Sequence, residues 1–158
     1  MYSLQDTLKY SNIEVILRFQ KQYGLSEHDV LDVWKETLRW LWLCAKTSKE
    51  GSSKKNNLAI DSDLEIIDQM WHTFLLYTQD YSRFCDKYFG MFIHHVPTPS
   101  SEVKKEEIKF RALSKEEKDN YIYDKKKKMY LYVYDTLGEN VFLKWFKEYP
   151  RKYPKKNK

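Results

Sequence analysis

At Ser11, Ser26, Ser62 and Ser114 a serine stands three residues ahead of an acid, respectively Glu14, Asp29, Glu65 and Glu117. A hydroxyl so placed accepts from a backbone N–H that the first helical turn leaves orphaned, and the acid reaches back to the cap. Each pair therefore marks where a helix opens. Apolar residues follow at three- and four-residue steps: Ile13, Ile16, Leu17 and Tyr23; then Leu31, Trp34, Leu38, Leu41, Trp42 and Ala45; then Ile67, Met70, Trp71, Phe74 and Leu75. Gly24, Gly90 and Gly138 suit helix stops. Only four Gly and four Pro interrupt 158 residues that are 16% aromatic, which argues for long regular elements over a turn-rich β architecture.

The expected fold is all-α: a single compact domain of five to six helices, with a central helical hairpin wedged against a long C-terminal helix. Tyr130 to Tyr134 alternates like a strand, but the length of its segment and the cap at Ser114 favour helix. Residues 48–57 have no apolar member and are expected to form a mobile loop. Pro97, Pro99 and the neighbouring serines deny helix to residues 95–102, leaving about 97–113 as a surface excursion. Residues 151–158 form a basic tail.

Chemistry concentrates between Asp68 and Pro97, which hold three of the four histidines and one of the two cysteines. Asp68 and His72 are four apart, so on a helix they face the same way and can touch. A carboxylate accepting from one imidazole nitrogen leaves the other free to ligate, as is usual behind a metal-bound histidine. With a reversal near Thr78 and Gln79, Cys85 comes level with His72, and Gly90 lets the chain return His94 or His95 to the same place. Two histidines, a thiolate and a carboxylate suit Zn²⁺, either closed as a structural site or with one position left for water. The bland alternative is a buried histidine satisfied by Asp68, with Cys85 as a small core residue and His94 and His95 facing solvent. A Cys–His nucleophile is disfavoured because nothing nearby supplies an oxyanion hole. Cys44, on an apolar helix, reads as inert core, and His28 as solvated.

The residues Asp68, Trp71-His72-Thr73, Tyr81, Phe84-Cys85, Phe89-Gly90 and Phe92-Ile93-His94-His95 resemble the glycine-rich domain-containing protein-like family. Tyr132, Tyr134-Asp135, Leu137-Gly138-Glu139, Trp145 and Tyr149-Pro150 resemble its closing segment, so the likeness spans about residues 60–155. It implies a compact helical domain in which the Trp-His segment recurs with a later histidine, best matched by His95. It implies no enzyme class, and the glycine-rich region behind that family's name is absent here.

Two cysteines are too few for a disulfide framework, and no apolar run would cross a bilayer or serve as a signal-peptide core, so a cytoplasmic protein is expected. The net charge of +5 comes from 28 basic against 23 acidic residues. Much of the excess lies in Lys125, Lys126, Lys127 and Lys128 and in the tail that begins with Arg151 and Lys152. The leading expectation is a small metal-binding module, structural or adaptor-like and leaning away from an enzyme, with zinc held by His72, Cys85 and His95, oriented by Asp68, and with His94 as the substitute ligand. The alternative is a metal-free interaction protein that uses its basic, tyrosine-rich C-terminal third to hold a protein or nucleic acid. A metal-dependent hydrolase ranks third.

Overall fold

The computed structural model describes residues 1–51 and 58–155. Most of the expected loop, residues 52–57, and the last three residues of the basic tail lie outside that range. Among the described residues there are eight helices, not five to six. They are α1 (Leu4–Thr7), α2 (Ile13–Tyr23), α3 (Glu27–Lys49), α4 (Glu65–Leu76), α5 (Thr78–Phe89), α6 (Ser100–Arg111), α7 (Lys115–Leu137) and a closing helix, α8. The last is α-helical over Glu139–Leu143, π-helical over Lys144–Glu148 and α-helical again over Tyr149–Lys152. Pro150 supplies no N–H to the ladder and crowds the carbonyl four residues earlier, and the helix widens just before it.

The two helices beyond the expected six have simple causes. In α1 the Ser3 hydroxyl accepts from the Asp6 N–H, but one turn is too short to show an apolar period. In α6 the prolines start the helix that they were expected to prevent. Pro99 stands at the N-cap, where a missing N–H costs nothing, and its carbonyl accepts from the N–H groups of Glu102 and Val103. No residue of α6 is buried. It folds back on α7 as an exposed hairpin, held by the Phe110 and Tyr121 rings and the Lys125–Glu106 ion pair.

Helix α3 is the centre of the fold. The sequence predicts a single apolar stripe there, yet Val30, Val33, Trp34, Leu38, Trp40, Leu41 and Leu43 are all buried, so it is covered on several faces. Leu31 is exposed, because a helix surrounded by neighbours hides residues by position in the bundle and not by one repeat. Helices α1, α2 and α4 pack on α3, and α4 lies chiefly along α3 and α2, not against the long α7. On α2 the core face is Val15, Ile16 and Phe19, while Ile13 and Leu17 face solvent. The α2 cap is Asn12, whose side chain accepts from the Val15 N–H.

The central hairpin forms as expected. Helices α4 and α5 meet at Tyr77, and Phe74, Tyr81 and Phe84 pack ring against ring in the corner. Gly90 then takes the left-handed conformation (φ 65°), which ends α5, and the following segment, 91–99, returns to α4, where His95 meets Asp68, Trp71 and His72. That return carries His94 and His95.

Candidate metal centre and its cleft

Asp68 lies one turn before His72 on α4, and the segment after Gly90 lays His95 beside both. The His95 Nε2 is 2.7 Å from one Asp68 oxygen, and the His72 Nδ1 is 3.4 Å from the other. The two imidazole rings stand 4.4 Å apart between centroids. One donor atom from each of the three residues falls within 4.8 Å of the others. Donors about 2.0–2.1 Å from a tetrahedral ion are themselves about 3.3 Å apart, so the Asp68 pairs already bracket the required spacing. His72, half-exposed, is free to adjust.

A hydrogen-bonded chain holds the returning segment in place. The Trp71 indole N–H donates to the Tyr81 hydroxyl over 3.0 Å, and that hydroxyl donates to the Ile93 carbonyl over 2.6 Å. All three residues are buried, so their mutual satisfaction matters more than it would at the surface. The Trp71 ring in turn lies against His95 at 4.1 Å, and the imidazole is thereby packed on one face and hydrogen-bonded at its edge. Burial pushes the Tyr81 hydroxyl well above its ordinary value, so it remains a donor.

Of the five residues expected at the site, three come together. Cys85 does not join them. It is buried in α5 below the Ile93 backbone N–H and beside Tyr81, and burial raises its thiol above the ordinary value. Equal distance from the turn brings His72 and Cys85 level along the hairpin, but they face opposite ways: Cys85 shares the core face with Phe84 and Phe89, and His72 looks outward. His94 is exposed, with its ring against Phe92 at 4.8 Å.

The three-residue cluster opens onto a cleft of about 720 Å³. Its floor is one face of α3, where Trp40, Cys44, Thr47 and Ser48 follow at helical spacing. One flank is Leu58, Ala59 and Ile60, and the other is the 91–98 segment. Burial of the Cys44 sulfur pushes its thiol up to about 12, which keeps it protonated. Trp40 is 2% exposed, and its indole N–H has no hydrogen-bond partner among the described residues. Sequence reasoning passes over Trp40 because it lies off the single stripe assigned to α3.

The basic residues expected to hold a partner are partly engaged by the protein itself. Lys126 contacts Asp63 at 3.0 Å and Asp61 at 3.5 Å, and Lys152 contacts Asp29 at 2.6 Å. Burial works to lower the Lys126 pKa, but the two carboxylates outweigh it and hold the ammonium above its ordinary value. Lys127 lies over the Tyr123 ring, while Lys128 and Arg151 are exposed. Among the tyrosines of α7, Tyr121, Tyr123 and Tyr134 are exposed, so core packing is not the role of most of them. Among the described residues no helix is long and apolar enough to cross a membrane.

An all-α domain with an imidazole–imidazole–carboxylate cluster at the mouth of a cleft is the class these features define. The chain matches the UCP032817-like family over residues 6–131 and belongs to it. This corrects the resemblance to the glycine-rich domain-containing protein-like family. The match takes in the N-terminal third, which that resemblance left out, and ends ahead of the Tyr132 to Pro150 segment on which the resemblance relied. No curated protein and no solved structure matches the chain.

Proposed function

We propose that this protein is a metal-binding helical module in which Asp68, His72 and His95 hold one divalent transition ion, with zinc the first choice. The observation that carries the reading is the convergence of the three donors within 4.8 Å at the mouth of the cleft. Two imidazoles and one carboxylate form a donor set suited to Zn²⁺ or Fe²⁺ with open coordination positions. Without a fourth ligand from Cys85, the ion would keep at least one position for water or a ligand from the cleft. This favours an open site over the closed structural site expected from four protein ligands.

The test is titration of chelator-stripped protein with Zn²⁺ in a calorimeter, followed by metal analysis after dialysis. One equivalent should bind to the wild type. Asp68→Ala, His72→Ala and His95→Ala should each weaken binding at least tenfold, since loss even of an outer-shell partner costs roughly 10–100-fold. Wild-type protein that binds no metal, or three variants that bind as well as wild type, would overturn the assignment.

A further inference from the structure

The cleft beside the cluster has a composition that selects its ligand. Its floor and flanks are largely apolar, with Trp40, Leu58, Ile60, Phe92 and Val96 among them. Its volume of about 720 Å³ lies within the range of roughly 300–1,000 Å³ usual for small-molecule sites. Among the described residues that line it there is no Lys or Arg, so none of them holds an anionic head by charge. The carboxylate of Asp68 at the mouth would repel one. An ion on Asp68, His72 and His95 reverses that sign, because two positive charges exceed the single negative charge of the aspartate.

We infer that the cleft binds a small carboxylic acid with an apolar body, whose carboxylate completes the coordination of the metal and whose apolar part lies along the floor formed by α3. The inference rests on the metal-binding reading of Asp68, His72 and His95. It adds the class of ligand and the direction in which that ligand lies. Among the described lining residues nothing but the metal would offer the carboxylate a positive charge, so metal should strengthen binding. The apolar floor supplies the rest of the affinity, so binding requires the acid's apolar body. Ala59 is an exposed lining residue on one flank and is none of the three ligands, so it offers a place to obstruct the slot.

The experiment uses the full chain, stripped and then reloaded with Zn²⁺, and three probes: 3-phenylpropionate, propionate and 3-phenylpropanamide. Zinc binding is recorded first by calorimetry, and probe binding is then followed through the tryptophan fluorescence. The zinc-loaded protein should bind 3-phenylpropionate at least tenfold more tightly than either other probe. It should also bind it at least tenfold more tightly than the stripped protein does. Ala59→Trp should retain zinc affinity and lose at least tenfold in affinity for 3-phenylpropionate. If zinc binds but the three probes do not differ, or Ala59→Trp has no effect, this inference falls and the metal reading stands. Equal binding of 3-phenylpropionate by stripped protein also overturns it. If zinc itself does not bind, both fall.

Discussion

The two halves of α3 handle polar groups in opposite ways. On the N-terminal half, Asp29, Asp32 and Glu36 share one face, and the closing helix α8 answers each of them. Lys152 reaches Asp29 at 2.6 Å, Lys144 and Tyr149 reach the two oxygens of Asp32 at 2.6 and 2.7 Å, and the Trp145 indole N–H donates to Glu36 over 2.7 Å. Arg39 adds a further donor to Glu36 at 3.0 Å. On the C-terminal half, the Trp40 N–H has no partner among the described residues, and across the cleft Asp68, His72 and His95 have mainly one another. The first region is a sealed seam whose polar groups specify how α8 docks. The second is an open cleft with Asp68, His72 and His95 gathered at its mouth. Burial alone does not tell a paired polar group from an orphaned one here, since Glu36 and Trp40 are both 2% exposed.

The sharpest way to break this contrast is Glu36→Ala. It leaves the buried Trp145 N–H and the Arg39 guanidinium without their Glu36 acceptor, while Lys144 keeps Asp32, and removing one member of a buried charged set costs about 3–5 kcal/mol. Urea unfolding should show a loss of that size, with zinc affinity unchanged in the protein that remains folded. A loss below about 1 kcal/mol would mean that the seam is not sealed as described.

Tyr81→Phe should have a smaller effect but reach both properties. It strands the Trp71 N–H and the Ile93 carbonyl, at a cost of about 1–3 kcal/mol, and it frees the segment that carries His95. Zinc should therefore bind more weakly than to wild type even where the variant is fully folded. Unaltered zinc affinity would show that the Trp71–Tyr81–Ile93 chain does not position the ligand.

The smallest effect is the acid dependence of the seam. Burial acts to raise the Asp32 pKa, but hydrogen bonds from Lys144 and Tyr149 and the Lys144 charge outweigh it, and the folded value is lowered. A carboxylate with a depressed folded pKa contributes stability in full above its unfolded value of about 3.9, and this is lost as pH falls through the folded value. Wild-type stability should thus decline below about pH 4 more steeply than that of Asp32→Asn, which lacks the titrating group. Parallel acid-unfolding curves for the two would remove Asp32 from the seam's pH response.

Much of the scaffold is legible from local chemistry. The Ser114 capping box forms with both of its hydrogen bonds, and Ser26 caps α3. What escapes the sequence is set by tertiary surroundings. Glu36 reads as a solvent-facing charge because its partners on α8 lie more than a hundred residues away. Trp40 falls outside a single-stripe view of a helix that is covered on several faces. At the site, the Asp68–His72 pair follows from helical spacing, and the Gly90 turn makes the return of His95 readable. Cys85 is misplaced because distance along a hairpin does not say which face a residue presents. It faces the core with Phe84 and Phe89, so a level position does not bring it to His72.

The most direct test of the account is X-ray absorption at the zinc edge of the zinc-loaded protein. The account predicts a first shell of nitrogen and oxygen only, at about 2.0–2.1 Å, with no sulfur. A sulfur scatterer at about 2.3 Å would place a cysteine on the ion and contradict the open three-residue site of Asp68, His72 and His95.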